Sequence, residues 1–463
     1  MVQVFFVKWR KNNKICVGYR FAATFALIGF NSHRVRLLYN LFIRLYAVGI
    51  SVAAVRNGKA AQWRSGRTAL WTDLDATLRQ AQDKPFSKPH AVIWIHCASA
   101  GEFEQAKPLI EAFKENFPRY KILVTFFSPS GYPAGKKFAL ADYVFYLPLD
   151  TKRNAERFVR TVQPKLAVFV KYDFWYHHLK TVHEQKIPLL LASALFRENQ
   201  LFFKPYGGFY RRMLRFFNQL FVQDEASHGL LKKFGITNCT VAGDTRFDRV
   251  QTIAGRFEPV PFLEEFTTGK MVMVAGSTWP DDEKMLHAVL KNREGVKLVI
   301  APHEVDAAHV NSLSQLFQKS IRYSSLREMN AKEAVIRLNE ADVLIIDNVG
   351  MLSRLYKYAT VAYVGGGFNK SGIHNTLEAA VFGNPVLFGP NYNKFREARA
   401  LIACGGAFSY STEPELENTL HPLLADEQLL KQSSEAAAAY VQRNVGATEI
   451  LIRFIQENRL LTN

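Results

Sequence analysis

Cysteine is scarce: the four residues Cys16, Cys97, Cys239 and Cys404 are spread over 463 positions with no CxxC or Cys/His cluster. Such spacing gives no disulfide framework and no structural zinc, and it suits a reducing compartment. Acidic residues are missing from positions 1–70, which hold twelve Lys or Arg and so supply +12 of the net +18. Uninterrupted apolar spans are missing too. The two richest N-terminal stretches, 15–30 and 37–55, are broken by Arg20 and Arg44, so neither is a clean spanning helix. A basic front is present but no small-residue cleavage site follows it, which disfavours a signal peptide. There is no Walker A sequence, no GxSxG elbow, no HExxH and no metal-holding DxD pair. A metal-independent reaction is therefore the default expectation.

What is present belongs to a folded enzyme-sized chain, 48% hydrophobic and 22% charged, long enough for two or three domains. The basic N-terminus implies an anionic partner: nucleic acid, phospholipid headgroups or a phosphorylated substrate. Within 37–55, Leu38, Leu41, Phe42, Leu45 and Val48 or Gly49 share one helical face. Tyr39 and Tyr46 read as interfacial aromatics, with Arg56, Lys59 and Arg64 behind them. This describes a helix lying in an anionic membrane surface; the alternative is a basic amphipathic helix packed on its own domain. Nucleic acid is disfavoured because the cations are mixed with aliphatic runs, not with stacking aromatics.

From residue 91 the chain alternates short apolar runs (92–95, 122–124, 143–145, 166–170, 189–191, 220–222) with helical stretches, the rhythm of a doubly wound parallel sheet. The rhythm weakens over 249–270, where Pro259, Pro261 and Gly269 suggest a linker. It restarts at 271–274, 296–300, 343–346, 361–364 and 386–388, and ends in an Ala-rich helical tail. Two such α/β domains are expected to face an interdomain cleft at the carboxyl ends of their strands.

Chemistry-bearing residues fall at these strand ends. After the first strand come Ser99-Ala100-Gly101-Glu102. Ser99 and Gly101 allow close approach of a substrate, and Glu102 would serve as a general base on a hydroxyl. Ser99-x-x-Glu102 is also a capping box, the reading that spacing alone favours. Arg246, in GDTRFD, is either a phosphate ligand or a salt-bridge partner. Ser277 and Thr278 open a helix after a strand and form either an anion site or a plain N-cap. His303 and the Asp347–Gly350 turn follow two further strands. The stretch 362–390 (AYVGGGFNKSGIHNTLEAAVFGNPVLFGP) joins a strand, a glycine loop containing Gly366, a helix start at Asn375 and Thr376, and Glu378. That combination suits a nucleotide, or else an ordinary βαβ crossover with a glycine-rich turn.

These motifs together (SAGE at 99–102, YLPLD at 146–150, GDTRFD, AGST, VGGGFNKSGIHNTLEAA and GNPVLFGP) resemble the 3-deoxy-D-manno-octulosonic acid (Kdo) transferases of lipopolysaccharide assembly, from about Leu37 to the end. The resemblance implies a GT-B fold of two Rossmann-like domains. Residues 1–60 would be a membrane-associated segment and 61–248 an acceptor-binding domain. After the linker 249–270, residues 271–463 would bind the nucleotide-sugar donor, with the final helices free to pack back on the first domain. It implies an inverting transfer from CMP-Kdo, with no cofactor or metal, to a phosphorylated lipid A precursor. The setting would be the cytoplasmic face of the cell inner membrane, reached peripherally or by a single N-terminal anchor. Glu102 falls on the family's catalytic base. Arg246, Ser277, Thr278, His303, Gly350, Gly366, Asn375 and Glu378 fall on the donor side, and Ser99, Gly101, Lys171, Arg211 and Arg212 on the acceptor side. Three departures stand out. Lys171-Tyr172-Asp173-Phe174-Trp175 replaces an ExExW run, Pro302-His303-Glu304 lacks the Arg of a PRH element, and Ala192-Ser193-Ala194-Leu195 replaces an N-a-R motif. The rival readings are another GT-B enzyme, either a UDP-sugar transferase or a sugar-nucleotide epimerase, and, less favoured, a nucleic-acid-binding protein.

Overall fold

The computed structural model describes residues 32–82, 91–291 and 293–462; the apolar stretch 15–30, Cys16 and the cations before Arg34 lie outside them. Two seven-stranded sheets carry the fold, and every pairing in both is parallel. The first holds β1 (Val92–Cys97), β2 (Lys121–Phe126), β3 (Tyr143–Tyr146), β4 (Pro164–Val170), β5 (Leu189–Ala194), β6 (Gln219–Val222) and β7 (Cys239–Val241), in the order β3-β2-β1-β4-β5-β6-β7. The second holds β8 (Met271–Thr278), β9 (Val296–Pro302), β10 (Ser320–Arg322), β11 (Val343–Ile345), β12 (Val361–Val364), β13 (Val386–Phe388) and β14 (Ala407–Ser409), in the order β10-β11-β9-β8-β12-β13-β14. The architecture is the doubly wound GT-B arrangement. Crossover helices cover both faces of each sheet, so the central strands are buried on both sides and read as unbroken apolar runs.

Strand order fixes where a ligand belongs. In the first sheet the chain reverses direction between β1 and β4, and in the second between β8 and β12. Loops leaving the carboxyl ends of strands at such a reversal diverge to opposite faces and open a crevice.

The first compact unit runs to Arg249 and is completed by Gly446–Asn463; the second is Val250–Val445. The returning helix Ala447–Glu457 buries Leu451, Ile452 and Ile455 in the same apolar cluster as Phe103, Leu109, Ile110 and Phe113. Its start is held by Asp248, which accepts from the backbone N–H groups of Gly446 and Thr448 (2.6 and 2.7 Å) and from the Thr448 hydroxyl (2.7 Å). The stretch 249–270 contains the latter half of helix Thr245–Gly255 and the short helix Leu263–Thr267, whose Leu263 and Phe266 are buried.

The N-terminal helix, Ser32–Ala53, docks one face on the first unit. Tyr39 and Ile43 are buried there, and the Tyr39 hydroxyl donates to the carboxylate of Asp150. This corrects the reading of Tyr39 and Tyr46 as interfacial aromatics: Tyr46 packs edge-on against Trp63 at 5.9 Å and beside Phe127 at 6.0 Å. Asp150 also accepts from the backbone N–H groups of His177 and His178 (3.0 and 2.9 Å) and from His178 Nδ1 (2.6 Å), so it caps helix Tyr176–Glu184 as well. Burial pushes its carboxyl up, yet the hydrogen bond and charge of His178, with His177 and Tyr39, hold it below the usual range. A depressed carboxyl stabilises the native state above its unfolded pKa, and that contribution fades as pH falls through the depressed value. Asp150→Ala is therefore expected to cost roughly 3–5 kcal/mol near neutrality. The gap to wild type should narrow below about pH 4, the ordinary carboxylate range. Denaturant titrations of both proteins across pH check this.

Candidate functional site

At the switch point of the first sheet, the loop after β1 brings Ser99, Gly101 and Glu102 beside the loop after β4. Ser99 caps helix Ala100–Asn116 by accepting from the Gly101 N–H at 3.3 Å. The Glu102 carboxylate accepts from the Ser99 hydroxyl and closes no bond to the Ser99 backbone N–H. The reciprocal half of a capping box is thus absent, and a half-exposed carboxylate is left at the strand end. Beneath it the β1 histidine, His96, is fully buried between Thr125 Oγ1 (2.8 Å) and Asp173 Oδ2 (2.7 Å). Asp173 comes from the segment that departs from the ExExW run, so a buried carboxylate is kept there even though Lys171 has replaced another.

Lys171 adopts a left-handed backbone, φ 63°, and its charge acts on Asp244. Asp244 is buried and accepts from Gln105 Nε2 (2.7 Å), Arg246 N–H (3.0 Å) and Arg246 Nε (2.9 Å). Burial works against its ionisation, but Arg246 and Lys171 hold the carboxyl below its ordinary value. Arg246 therefore sits in the first unit as the salt-bridge partner of Asp244. Tyr172, between these groups, is pushed up to about 12 by burial, with Arg197 opposing and Asp244, Asp224 and Glu102 adding to the rise. Arg211 is also committed, donating to the carbonyls of Phe202 (2.8 Å) and Lys204 (2.9 Å). Arg212 is exposed on helix Gly208–Leu214, which packs against the N-terminal helix through Phe209 and Tyr39.

The second sheet gathers its candidates at β8, β9 and β12. The glycine loop lies directly on the end of β8: a Cβ on Gly365 would stand 2.3 Å from the Ser277 carbonyl oxygen. Gly366, with φ 88°, donates its N–H to Asp282 Oδ2 at 2.9 Å, so that amide is not left over for a phosphate. Asp282 also accepts from Trp279 N–H (2.9 Å) and the Tyr363 hydroxyl (2.7 Å). The Thr278 hydroxyl turns inward to Glu283 Oε1 at 3.0 Å, and Glu283 in turn meets His309. Ser277, in a left-handed conformation with φ 54°, remains at the rim. His303 is exposed and stacks between Trp279 (4.8 Å) and His374 (4.5 Å). Burial and the neighbouring His303 push His374 down to about 4, which leaves it neutral in the ordinary pH range. Asn375 donates to Glu378 Oε1 at 3.0 Å and accepts from Leu377 N–H at 3.2 Å, while the buried Thr376 hydroxyl beside it has no partner among the described residues. Gly350, exposed and with φ 93°, follows β11, two strands away from β8.

Sequence reasoning missed Trp279, Gln105 and the anchoring role of Asp282. The partner that anchors Asp282, Gly366, is remote from it in sequence. Among the described residues no group of three or more His, Cys, Asp and Glu is placed to hold a metal ion. A cavity of about 850 Å³, lined by Arg293, Glu417 and His421 among others, lies past the end of helix Pro280–Leu290.

Residues 73–249 match the family described as 3-Deoxy-D-manno-octulosonic-acid transferase (kdotransferase). A 3-deoxy-D-manno-octulosonic acid transferase from Rickettsia bellii is 26% identical over 374 residues, 79% of this chain and 87% of its own. One from Aquifex aeolicus is 26% identical over 361 residues, 76% of this chain and 92% of its own. Among solved structures, a UDP-GlcNAc 2-epimerase from Neisseria meningitidis aligns with a TM-score of 0.56 at 14% identity, over 79% of this chain and all (100%) of its own; that likeness is one of fold.

Proposed function

The chain belongs to the Kdo transferase family of glycosyltransferases, and from that premise we propose that it moves Kdo from CMP-Kdo to a hydroxyl of a phosphorylated lipid A precursor, lipid IVA, with inversion at the anomeric carbon. The observation that carries the reading is the Glu102 carboxylate, half-buried at the switch point of the first sheet and bound to no backbone amide among the described residues. As the acceptor hydroxyl attacks, its oxygen forms the bond to the anomeric carbon and the bond from that carbon to the CMP phosphate oxygen breaks. The hydroxyl proton passes to Glu102. The first domain thus supplies the base and the second the donor site.

On the second domain, Asn375 and Glu378 suit the nucleotide. Ser277 and the uncharged imidazole of His374 beside His303 offer hydrogen bonds to the phosphate. Thr278 and Gly366 act by shaping the loop, since their polar groups are engaged by Glu283 and Asp282. The donor brings its own carboxylate and phosphate, which the hydrogen-bonding groups of this loop would meet, so the reading calls for no metal or cofactor.

The N-terminal helix supports a seat for the enzyme at the cytoplasmic face of the inner membrane. By length and composition Arg34–Ala53 passes as a membrane-crossing helix. Tyr39 and Ile43, however, dock it on the first domain, which supports a helix lying along the surface with Leu41, Leu45, Val48 and Val52 outward. The test is incubation of the purified full chain with CMP-Kdo and lipid IVA, followed by mass spectrometry of the lipid. Addition of Kdo is expected. A thermal-shift series with CMP, UMP and UDP accompanies it, and selective stabilisation by UDP would instead favour a UDP-sugar enzyme.

A further inference from the structure

A cavity of about 470 Å³ opens where the N-terminal helix crosses the start of helix Lys152–Val162, at the carboxyl end of the edge strand β3. Its wall includes Asn40 and Arg44 from the first helix and Lys152, Arg153 and Glu156 from the second, with Asp150 at its base. The first residues of a helix leave their N–H groups without intrahelical partners and carry the positive end of its dipole. Here those residues are Lys152 and Arg153, so backbone and side-chain charge have the same sign.

Two carboxylates oppose this charge, and both are compensated. Asp150 already accepts from Tyr39, His177 and His178. Glu156 lies 3.7 Å from the Lys152 ammonium on its own helix. Asn40 Oδ1 meets His177 Nε2 at 2.7 Å, which leaves the Asn40 NH₂ as that side chain's donor. Burial above all lowers the His177 pKa, against the pull of Asp150, with His178, Lys180 and Arg36 adding to the fall.

We propose that this cavity binds the phosphomonoester headgroup of a membrane lipid, clasped between Arg44 of the N-terminal helix and Lys152 and Arg153 of the helix beside it. The source of the anion follows from the same helix. Immediately next to Arg44, Leu41 is 53% and Leu45 57% exposed, with Val48 and Val52 more so along the same side. A free phosphate has no use for such a border, whereas a lipid brings acyl chains to cover it. With Lys152 shared with Glu156, Arg44 and Arg153 still bring two cations from two elements, which suit a dianionic monoester better than a singly charged diester. Membrane attachment would then be selective for headgroup chemistry and not only for surface charge.

The test is flotation of the full-length protein with vesicles containing phosphatidic acid or phosphatidylglycerol, matched for surface charge. The wild-type chain is expected to bind phosphatidic acid roughly thirtyfold more tightly, the effect of about two additional charged contacts. Arg44→Gln with Arg153→Gln, both exposed and so compatible with folding, should erase that preference. Lys59→Gln with Arg64→Gln removes equal charge from exposed sites outside the cavity and should keep it. Equal loss in the two double variants, or no wild-type preference, would overturn the site. Thermal stabilisation by glycerol 3-phosphate alone matching that by phosphatidic acid vesicles would overturn the lipid as its source.

Discussion

Glu102→Gln should lower turnover of CMP-Kdo with lipid IVA by about 10²–10⁴-fold, the usual worth of a general base, while leaving the protein folded. The structure separates this outcome from a capping role. Ser99 Oγ itself caps the helix through the Gly101 N–H, and glutamine can still accept from the Ser99 hydroxyl. A stability change within about 0.5 kcal/mol is therefore expected, as at a surface position with no broken network. A substitution that kept nearly normal turnover would remove Glu102 from the role of base. The substitution is nearly isosteric, so packing of Phe103 and Phe126 beneath the loop is untouched. Steady-state rates with thermal melts of both proteins give the two readouts together.

How much of this could be read in advance depends on how local the determining interactions are. The central strands were legible because a strand buried on both faces must be a run of apolar residues, as in Leu166–Val170 or Val361–Val364. The strands β7, β10 and β14 were not. Each is three residues long and partly exposed, and β10 has no buried position at all, so neither length nor alternation marks it. The three lie on sheet edges, where a strand needs only one neighbour.

The N-terminal helix shows a different limit. Its apolar residues announce an amphipathic helix, but periodicity does not say which face meets protein. Tyr39 is turned inward by Asp150, 111 residues later in the chain. The site divides in the same way. Glu102, Asn375 and Glu378 stand at strand-to-helix junctions that sequence spacing marks out. The commitments of Thr278 to Glu283, Arg211 to two carbonyls and Arg246 to Asp244 are decided by packing, and each changes what the residue has left for a ligand.

Asp282 is the residue on which the donor loop depends most, and its replacement has the second large expected effect. One carboxylate collects three donors: the Gly366 N–H, the Trp279 N–H and the Tyr363 hydroxyl, which itself accepts from Tyr410 at 2.8 Å. All but the part-buried Trp279 amide is buried, and a buried donor left unpaired costs about 1–3 kcal/mol. Asp282→Ala is thus expected to destabilise the second domain by roughly 3 kcal/mol or more, with relaxation of the loop limiting the sum. Because the freed amide belongs to the glycine loop, thermal stabilisation by CMP should disappear along with it. Asp282→Asn separates stability from charge. Its amide oxygen can face the Gly366 and Trp279 amides while its NH₂ donates to the Tyr363 oxygen, so only about 1 kcal/mol should be lost, the net worth of an ordinary hydrogen bond. If the alanine variant melted like wild type and still responded to CMP, the carboxylate would not be what holds the loop against the end of β8. If the asparagine variant were as damaged as the alanine one, the requirement would be for negative charge, drawn to the start of helix Pro280–Leu290, and not for the geometry of three accepted hydrogen bonds.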